Sequence, residues 1–299
     1  MANNVIEARG LRKHFGHVAA LDGVDLDVAA GDVHALIGPN GAGMSTAIRV
    51  FLGLLRRSGG SVSVLGGDPW RDGPRIHRRI GYVPGDVTLW PSLTGGETID
   101  LIGRLRGRVD DVRRTELIER FELDPHRKCR TYSKGNRQKV ALISALVTPV
   151  DLLIFDEPTS GLDPLMEEQF AKCIAEARND GTAVLLSSHN LSEVEHLADT
   201  VTVVKNGVTV DNGSLADMRR HARTRIDAVV TQPLRLDAIP GVRDFFMTAD
   251  RMTFTVDIPS LPAALAAVAT AEPTSVTCRP PTLEEMFLAR YDTRESVRP

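Results

Sequence analysis

Apolar positions recur along this chain with two different periods, and the changes of period mark its parts. Val24-Asp25-Leu26-Asp27-Val28 alternates cleanly, and Val5-Ile6-Glu7-Ala8 and Ser61-Val62-Ser63-Val64-Leu65 follow the same period of two, which predicts half-buried strands. Val33-His34-Ala35-Leu36-Ile37, Leu152-Leu153-Ile154-Phe155 and Ala183-Val184-Leu185-Leu186 are short, almost wholly apolar runs and predict buried strands. Ala47-Ile48-Arg49-Val50-Phe51-Leu52 reads as the start of a helix. Residues from about 88 to 145 read as mainly helical, in pieces at 97–102, 115–121 and after Ser133. Strands at 201–205 and 208–210 flank Asn206-Gly207, a dipeptide suited to a two-residue hairpin turn. The basic run at 219–225 then marks a boundary. Beyond it, strands at 226–230, 252–256 and 275–278, a helix at 261–268 and an amphipathic helix at 281–288 predict a small α+β domain with a frayed polar end at 292–299. The predicted organisation is therefore a larger α/β domain at 1–220 and a smaller one at 226–299.

Composition removes several function classes. Lys+Arg 36 against Asp+Glu 39 gives a net charge of -3, which is no nucleic-acid signature. Hydrophobic content of 42% supports a packed core, and 299 residues allow two domains at about 150 each. Cys129, Cys173 and Cys278 are scattered, without metal-ligand spacing or a disulfide framework, as expected of thiols in a reducing compartment. No apolar run approaches the ~20 residues of a membrane span, and Met1-Ala2-Asn3-Asn4 carries no signal-peptide core. The expectation is a soluble chain whose membrane role, if any, comes through a partner.

The candidate chemistry sits at the ends of the buried strands. Gly38-Pro39-Asn40-Gly41-Ala42-Gly43-Met44-Ser45-Thr46 fits the phosphate-binding pattern G-x-x-x-x-G-K-[ST] except that Met44 stands at the lysine position. Glycines let successive N–H groups curl around phosphate oxygens, and the following helix adds its positive end. Ser45 is placed to ligate Mg²⁺. Methionine has nearly the length of lysine but neither its charge nor its N–H donors, so nucleotide binding is expected to weaken by about 1.5–3 kcal/mol. Asp156 ends an apolar strand and is placed to hold Mg²⁺, with Glu157 beside it to polarise a water. By themselves the two acids read equally well as a charge pair at a helix N-terminus; the Pro158-Thr159-Ser160-Gly161-Leu162-Asp163-Pro164 that follows decides for the site.

In this order, the motifs resemble those of ATP-binding-cassette (ABC) ATPases over residues 1 to about 220. Asp156 to Asp163 resembles the Walker B and D-loop block, and Tyr132-Ser133-Lys134-Gly135-Asn136-Arg137-Gln138 the signature sequence. His189 resembles the switch histidine, and Phe15 the aromatic that stacks on adenine. The resemblance implies a P-loop ABC ATPase core with an antiparallel β subdomain and a helical subdomain at about 88–145. It implies ATP bound with Mg²⁺ by Phe15, residues 38–46 and Asp156, with Glu157 and His189 as catalytic residues. It further implies that Ser133, Gly135 and Asp163 complete the site of a second cassette, in a head-to-tail homodimer. The partner it implies is a separate transmembrane permease at the cytoplasmic face of the membrane, whose coupling helix a groove in the helical subdomain receives. Leu89, Trp90 and Leu93 are candidates for that groove, with core packing as the alternative. The tail is similar to the C-terminal extension of drug- and antibiotic-exporting ABC ATPase subunits, which implies export of drugs, antibiotics or lipids.

Two positions depart from the family pattern. One is Met44. The other is Gly85, in Ile80-Gly81-Tyr82-Val83-Pro84-Gly85-Asp86, where the family usually has a glutamine that touches Mg²⁺ and water. Asp86 is either a replacement ligand or a solvated loop acid. Glu157, His189, Ser133 and Gly135 all remain, which favours an introduced Lys→Met change in an otherwise competent ATPase over a natural regulatory cassette of an asymmetric pair that binds ATP without hydrolysing it. A soluble ABC protein acting on ribosomes or DNA is the further alternative, against which stand the single cassette and the charge.

Overall fold

The computed structural model describes residues 4–107, 109–220, 223–232, 234, 236, 239–280 and 282–283. The chain divides into two compact units, Met1–Gly213 and Ser214–Pro299, so the division falls just before the basic run. In chain order the first stretch holds β1 (Asn4–Phe15), β2 (Val18–Ala29), β3 (Val33–Ile37), α1 (Met44–Phe51), β4 (Gly59–Val64), α2 (Gly73–His77) and β5 (Ile80–Val83). The helical stretch holds α3 (Gly95–Arg106), α4 (Asp111–Arg120) and α5 (Lys134–Leu146). Then come β6 (Leu152–Asp156), α6 (Pro164–Asn179), β7 (Ala183–Ser188), α7 (Leu191–Leu197), β8 (Thr200–Lys205) and β9 (Val208–Ser214).

The apolar runs form the centre of a six-stranded sheet in the order β5-β6-β7-β3-β8-β9. From β5 to β8 neighbours run parallel, and β3, β6 and β7 are buried at every position, which is why their sequences do not alternate. β9 returns as the hairpin partner of β8 through Asn206 (φ 50) and Gly207 (φ 75), the left-handed pair a primed turn requires. The alternating runs form a separate antiparallel sheet, β2-β1-β4. One apolar core draws Ile6, Leu26 and Val64 from that sheet, Ile48 and Phe51 from α1, and Leu36, Ile154 and Leu185 from the parallel sheet. The order β6-β7-β3 places three strand ends side by side, with Asp156 paired to Ser187 and Ile37 to Ser188. Ligands of open parallel sheets lie at such carboxyl ends.

The helical stretch is set by its caps. Thr94 and Glu97 form a reciprocal capping box at α3, and Asp110 caps α4. Arg106, at the end of α3, donates to the carbonyls of Ser144 (2.7 Å) and Ala145 (3.2 Å) in the last turn of α5. Arg113 and Arg120 of α4 reach Glu176 of α6 at 2.9 and 2.7 Å. Trp90 is exposed, while Leu89 and Leu93 are half-buried.

The second unit opens with α8 (Leu215–Arg220) and continues with β10 (Thr224–Val230), β11 (Val242–Thr248), β12 (Arg251–Val256), α9 (Leu261–Thr270) and β13 (Pro273–Arg279). Its four strands are antiparallel in the order β11-β12-β10-β13, around a core that includes Ile226, Met252, Phe254 and Val268. The sequence pattern predicts no strand at 242–248. β11 is an edge strand, half-buried at Val242 and exposed beyond it, and interrupted where Asp244 takes φ 52, so no alternation survives in its sequence. The helix expected at 281–288 lies outside the described residues except at 282–283, as does the tail at 292–299. Cys129, Cys173 and Cys278 are free thiols, the first two buried. Among the described residues no helix is long and apolar enough to cross a membrane.

Candidate nucleotide-binding site

The loop after β3 is shaped by close backbone approaches. Gly43, the N-cap of α1, sits at φ 108, and a Cβ there would lie 2.6 Å from the Ala20 carbonyl of β2. The loop closes on itself and on the β8–β9 turn through Ala42 N–H to Pro39 O and Gly207 N–H to Ala42 O, both 2.9 Å. The first-turn N–H groups of α1 have no acceptors within the helix, and its first turn carries no acidic residue, so this end suits an anion. Phe15, at the end of β1, is 47% exposed, with the Lys13 ammonium 4.9 Å from its ring centre.

Asp156, at the end of β6, is 4% exposed, and its Oδ1 accepts from both Ser45 Oγ (3.1 Å) and Ser187 Oγ (2.6 Å). A hydroxyl and a carboxylate within reach of one point are hard oxygen donors of the kind Mg²⁺ takes, so the residues present fit that ion. Tyr82, on neighbouring β5, is pushed up to about 12 by burial and by the Asp156 charge, so its phenol stays neutral. Glu157 follows at φ 50, a left-handed conformation uncommon for a residue with a side chain. Its N–H is shared between the Ser187 carbonyl (3.1 Å) and Ser187 Oγ (3.2 Å). The turn leaves Glu157 Oε1 3.3 Å from His189 Nδ1. A carboxylate and an imidazole side by side, next to a second buried acid, can orient a water and accept its proton.

The other predicted residues gather elsewhere. Ser133 caps α5 by accepting from Asn136 N–H (3.3 Å), and Asp163 caps α6 by accepting from Met166 N–H (3.0 Å). Both, with Gly135, line one open cavity of about 470 Å³. A Cβ on Gly135 would meet the Gly161 carbonyl at 2.6 Å, so only glycine permits this approach of α5 to the turn after β6.

A model of the "ABC transporter" family matches residues 21–160. "Daunorubicin resistance ATP-binding protein DrrA3" of Streptomyces coeruleorubidus is 36% identical over 306 residues, covering 96% of each chain. The chain belongs to the ABC transporter ATP-binding family. It is also similar to "Daunorubicin/doxorubicin resistance ATP-binding protein DrrA" of Streptomyces peucetius, 37% identical over 72% of this chain and 66% of that one. Among solved structures, the "Structure of ATP binding subunit of ABC transporter" superposes with a TM-score of 0.67 at 30% identity, over 72% of this chain and 92% of that one.

Within this ABC cassette, Met44 is 7% exposed and belongs to the apolar core cluster, so the side chain at the lysine position is packed with hydrophobic neighbours. Gly85 stands against Asp156: a Cβ there would lie 3.3 Å from the Asp156 carbonyl and 3.6 Å from its carboxylate. Asp86 is exposed. Sequence reasoning gives no role to Ser187, which joins the two acids, or to Gln138 within the signature run, which is buried and donates to the Pro158 carbonyl at 2.7 Å, tying α5 to the same turn. The signal for Ser187 was two hydroxyls ending an otherwise apolar strand just before His189.

Proposed function

We propose that this chain is the ATP-hydrolysing subunit that powers a separate membrane-embedded exporter of drugs, antibiotics or lipids, and that Met44 slows its cycle. The observation that carries the reading is the pairing of Glu157 with His189 at 3.3 Å beside Asp156. The resistance names of its relatives support the export direction and the class of cargo.

In this reading Phe15 stacks on adenine, and the backbone N–H groups of residues 38–46 receive the phosphates. Ser45 and Asp156 would hold Mg²⁺, which neutralises phosphate charge when bound. Glu157 orients the attacking water and takes its proton. His189 holds the γ-phosphate. Ser133, Gly135 and Asp163 face the nucleotide of a second copy in a head-to-tail homodimer, at the inner face of the membrane. Without the lysine, stabilisation of the transferring phosphoryl falls by about 1.5–3 kcal/mol, on the order of 10- to 100-fold in rate.

The test is Mg-ATP hydrolysis by the chain and by its Met44→Lys variant, each assembled with its membrane partner. A variant faster by that factor supports a competent site held back at Met44. Two active chains with equal rates would sink the assigned role of Met44. Two inactive chains would favour a second reading, a regulatory cassette that binds ATP without hydrolysing it, for which the apolar packing of Met44 and the bare Gly85 speak.

A further inference from the structure

The loop 38–46 contains no lysine or arginine, so it brings no cation of its own to a triphosphate tail, whose recognition calls for one. A cation that none of the chemistry above uses stands in the cavity at the start of α5. Lys134, the first residue of that helix, lies between Ser133 and Gly135, the two residues read as facing the nucleotide of a second copy. Its stem runs along the turn after β6: a Cβ on Gly161 would lie 3.4, 3.5 and 3.7 Å from its Cδ, Cγ and Cε. Its ammonium donates to Ser160 Oγ at 2.8 Å. Lys139, one turn after Gly135, lines the same cavity. Among the described residues neither ammonium forms an ion pair, and the carboxylate in the cavity, Asp163, caps α6. An ammonium steadied by a neutral hydroxyl keeps its charge uncompensated and has further donors to give. The first turn of α5 carries no acidic residue either.

We propose that Lys134 supplies from the second copy the positive charge that Met44 withholds: each chain's Lys134 meets the terminal phosphate of the nucleotide held by the other chain's loop. This rests on the head-to-tail homodimer proposed above. Lys139 adds to the positive field of the cavity without having to touch the nucleotide. The arrangement moves part of phosphate recognition from the chain that holds the nucleotide to its partner. A single copy then binds ATP weakly, and nucleotide binding and pairing strengthen each other by the same factor.

The test titrates the full chain with Mg²⁺ and a non-hydrolysable ATP analogue and reads dimer formation by sedimentation, so it needs no turnover. Lys134→Ala is expected to raise the half-saturating analogue concentration about tenfold or more, as loss of a charged hydrogen bond does. Lys134→Arg, which keeps the charge, is expected to restore most of that loss. On a Met44→Lys chain, whose loop carries its own cation, Lys134→Ala is expected to cost less than about threefold, and equal costs in the two backgrounds would overturn the proposal. Ser160→Ala removes the hydroxyl and leaves the ammonium, so its expected cost is also under about threefold. A loss as large as that of Lys134→Ala would reduce the lysine to a tie between α5 and the turn, and would overturn the proposal too. Mixing separates the two copies. Lys134→Ala chains combined with Gly43→Ala chains, whose loop is spoiled, pair one intact loop with one intact Lys134. The mixture is expected to dimerise at lower analogue concentration than either variant alone, and no gain would place the lysine in its own chain's site. Dimers that form equally well without Lys134 would end the proposal and leave the homodimer standing. Chains that stay monomeric with either Met or Lys at position 44 would end both.

Discussion

At the scale of single residues, the site is held by a few atoms with double duties. Asp156 Oδ1 accepts two hydroxyls, and Ser187 Oγ donates to it while accepting from Glu157 N–H. Asp156→Asn keeps an acceptor oxygen but loses the charge. It is expected to abolish the Mg²⁺ dependence of ATP binding with little loss of thermal stability, read by nucleotide titration with and without Mg²⁺. Gly43 carries a different load, since a side chain there meets both a left-handed φ of 108 and a carbonyl 2.6 Å away. Gly43→Ala is expected to cost about 1–3 kcal/mol and to weaken ATP binding, measured by melting temperature and titration together. The sequence named both residues; the bond through Ser187 was hidden, because a serine ending a strand has many uses.

At the scale of elements, two buried groups explain packing that periodicity leaves open. His34 lies inside β3, between β7 and β8. Its Nδ1 and Nε2 each lie 2.8 Å from a hydroxyl, of Thr200 and Thr202, and Thr200 in turn donates to Asp32 at 2.5 Å. Burial pulls its pKa from 6.5 down to about 4. A base depressed on folding is neutral in the native state. Its stabilisation is complete above the unfolded value and is lost as pH falls from about 6.5 towards 4. Near pH 5 the loss is about 2 kcal/mol. Denaturant titrations at pH 7.5 and 5 are expected to show it, and His34→Gln should flatten that difference. Arg106 supplies the positive charge that the last turn of α5 lacks in its own sequence. Burial lowers it to about 10, so it stays charged at neutral pH. Arg106→Met is expected to cost about 1–2 kcal/mol, with α5 exchanging its amide protons sooner.

At the scale of the whole molecule, each unit has its own apolar core. The loop 38–46, both acids, His189 and the α5 cavity all lie within Met1–Gly213. A fragment ending at Gly213 is therefore expected to fold and to bind ATP with the affinity of the full chain; a fragment that binds none would show that the later residues build the site. The 242–248 strand carries no periodic signal, since an exposed edge strand answers to its neighbour β12 more than to its own sequence.

The ordered motifs, the buried runs that become β3, β6 and β7, the alternating runs of the antiparallel sheet and the hairpin at Asn206-Gly207 are all legible in the amino-acid order. These are local consequences of period, turn chemistry and glycine. Which motifs meet was decided only by the strand order β6-β7-β3, which brings together residues more than a hundred positions apart, such as Ser45 and Asp156. The left-handed turn at Glu157 and the apolar packing of Met44 are likewise tertiary facts. Each depends on what surrounds a side chain in space, and a one-dimensional pattern carries no record of that.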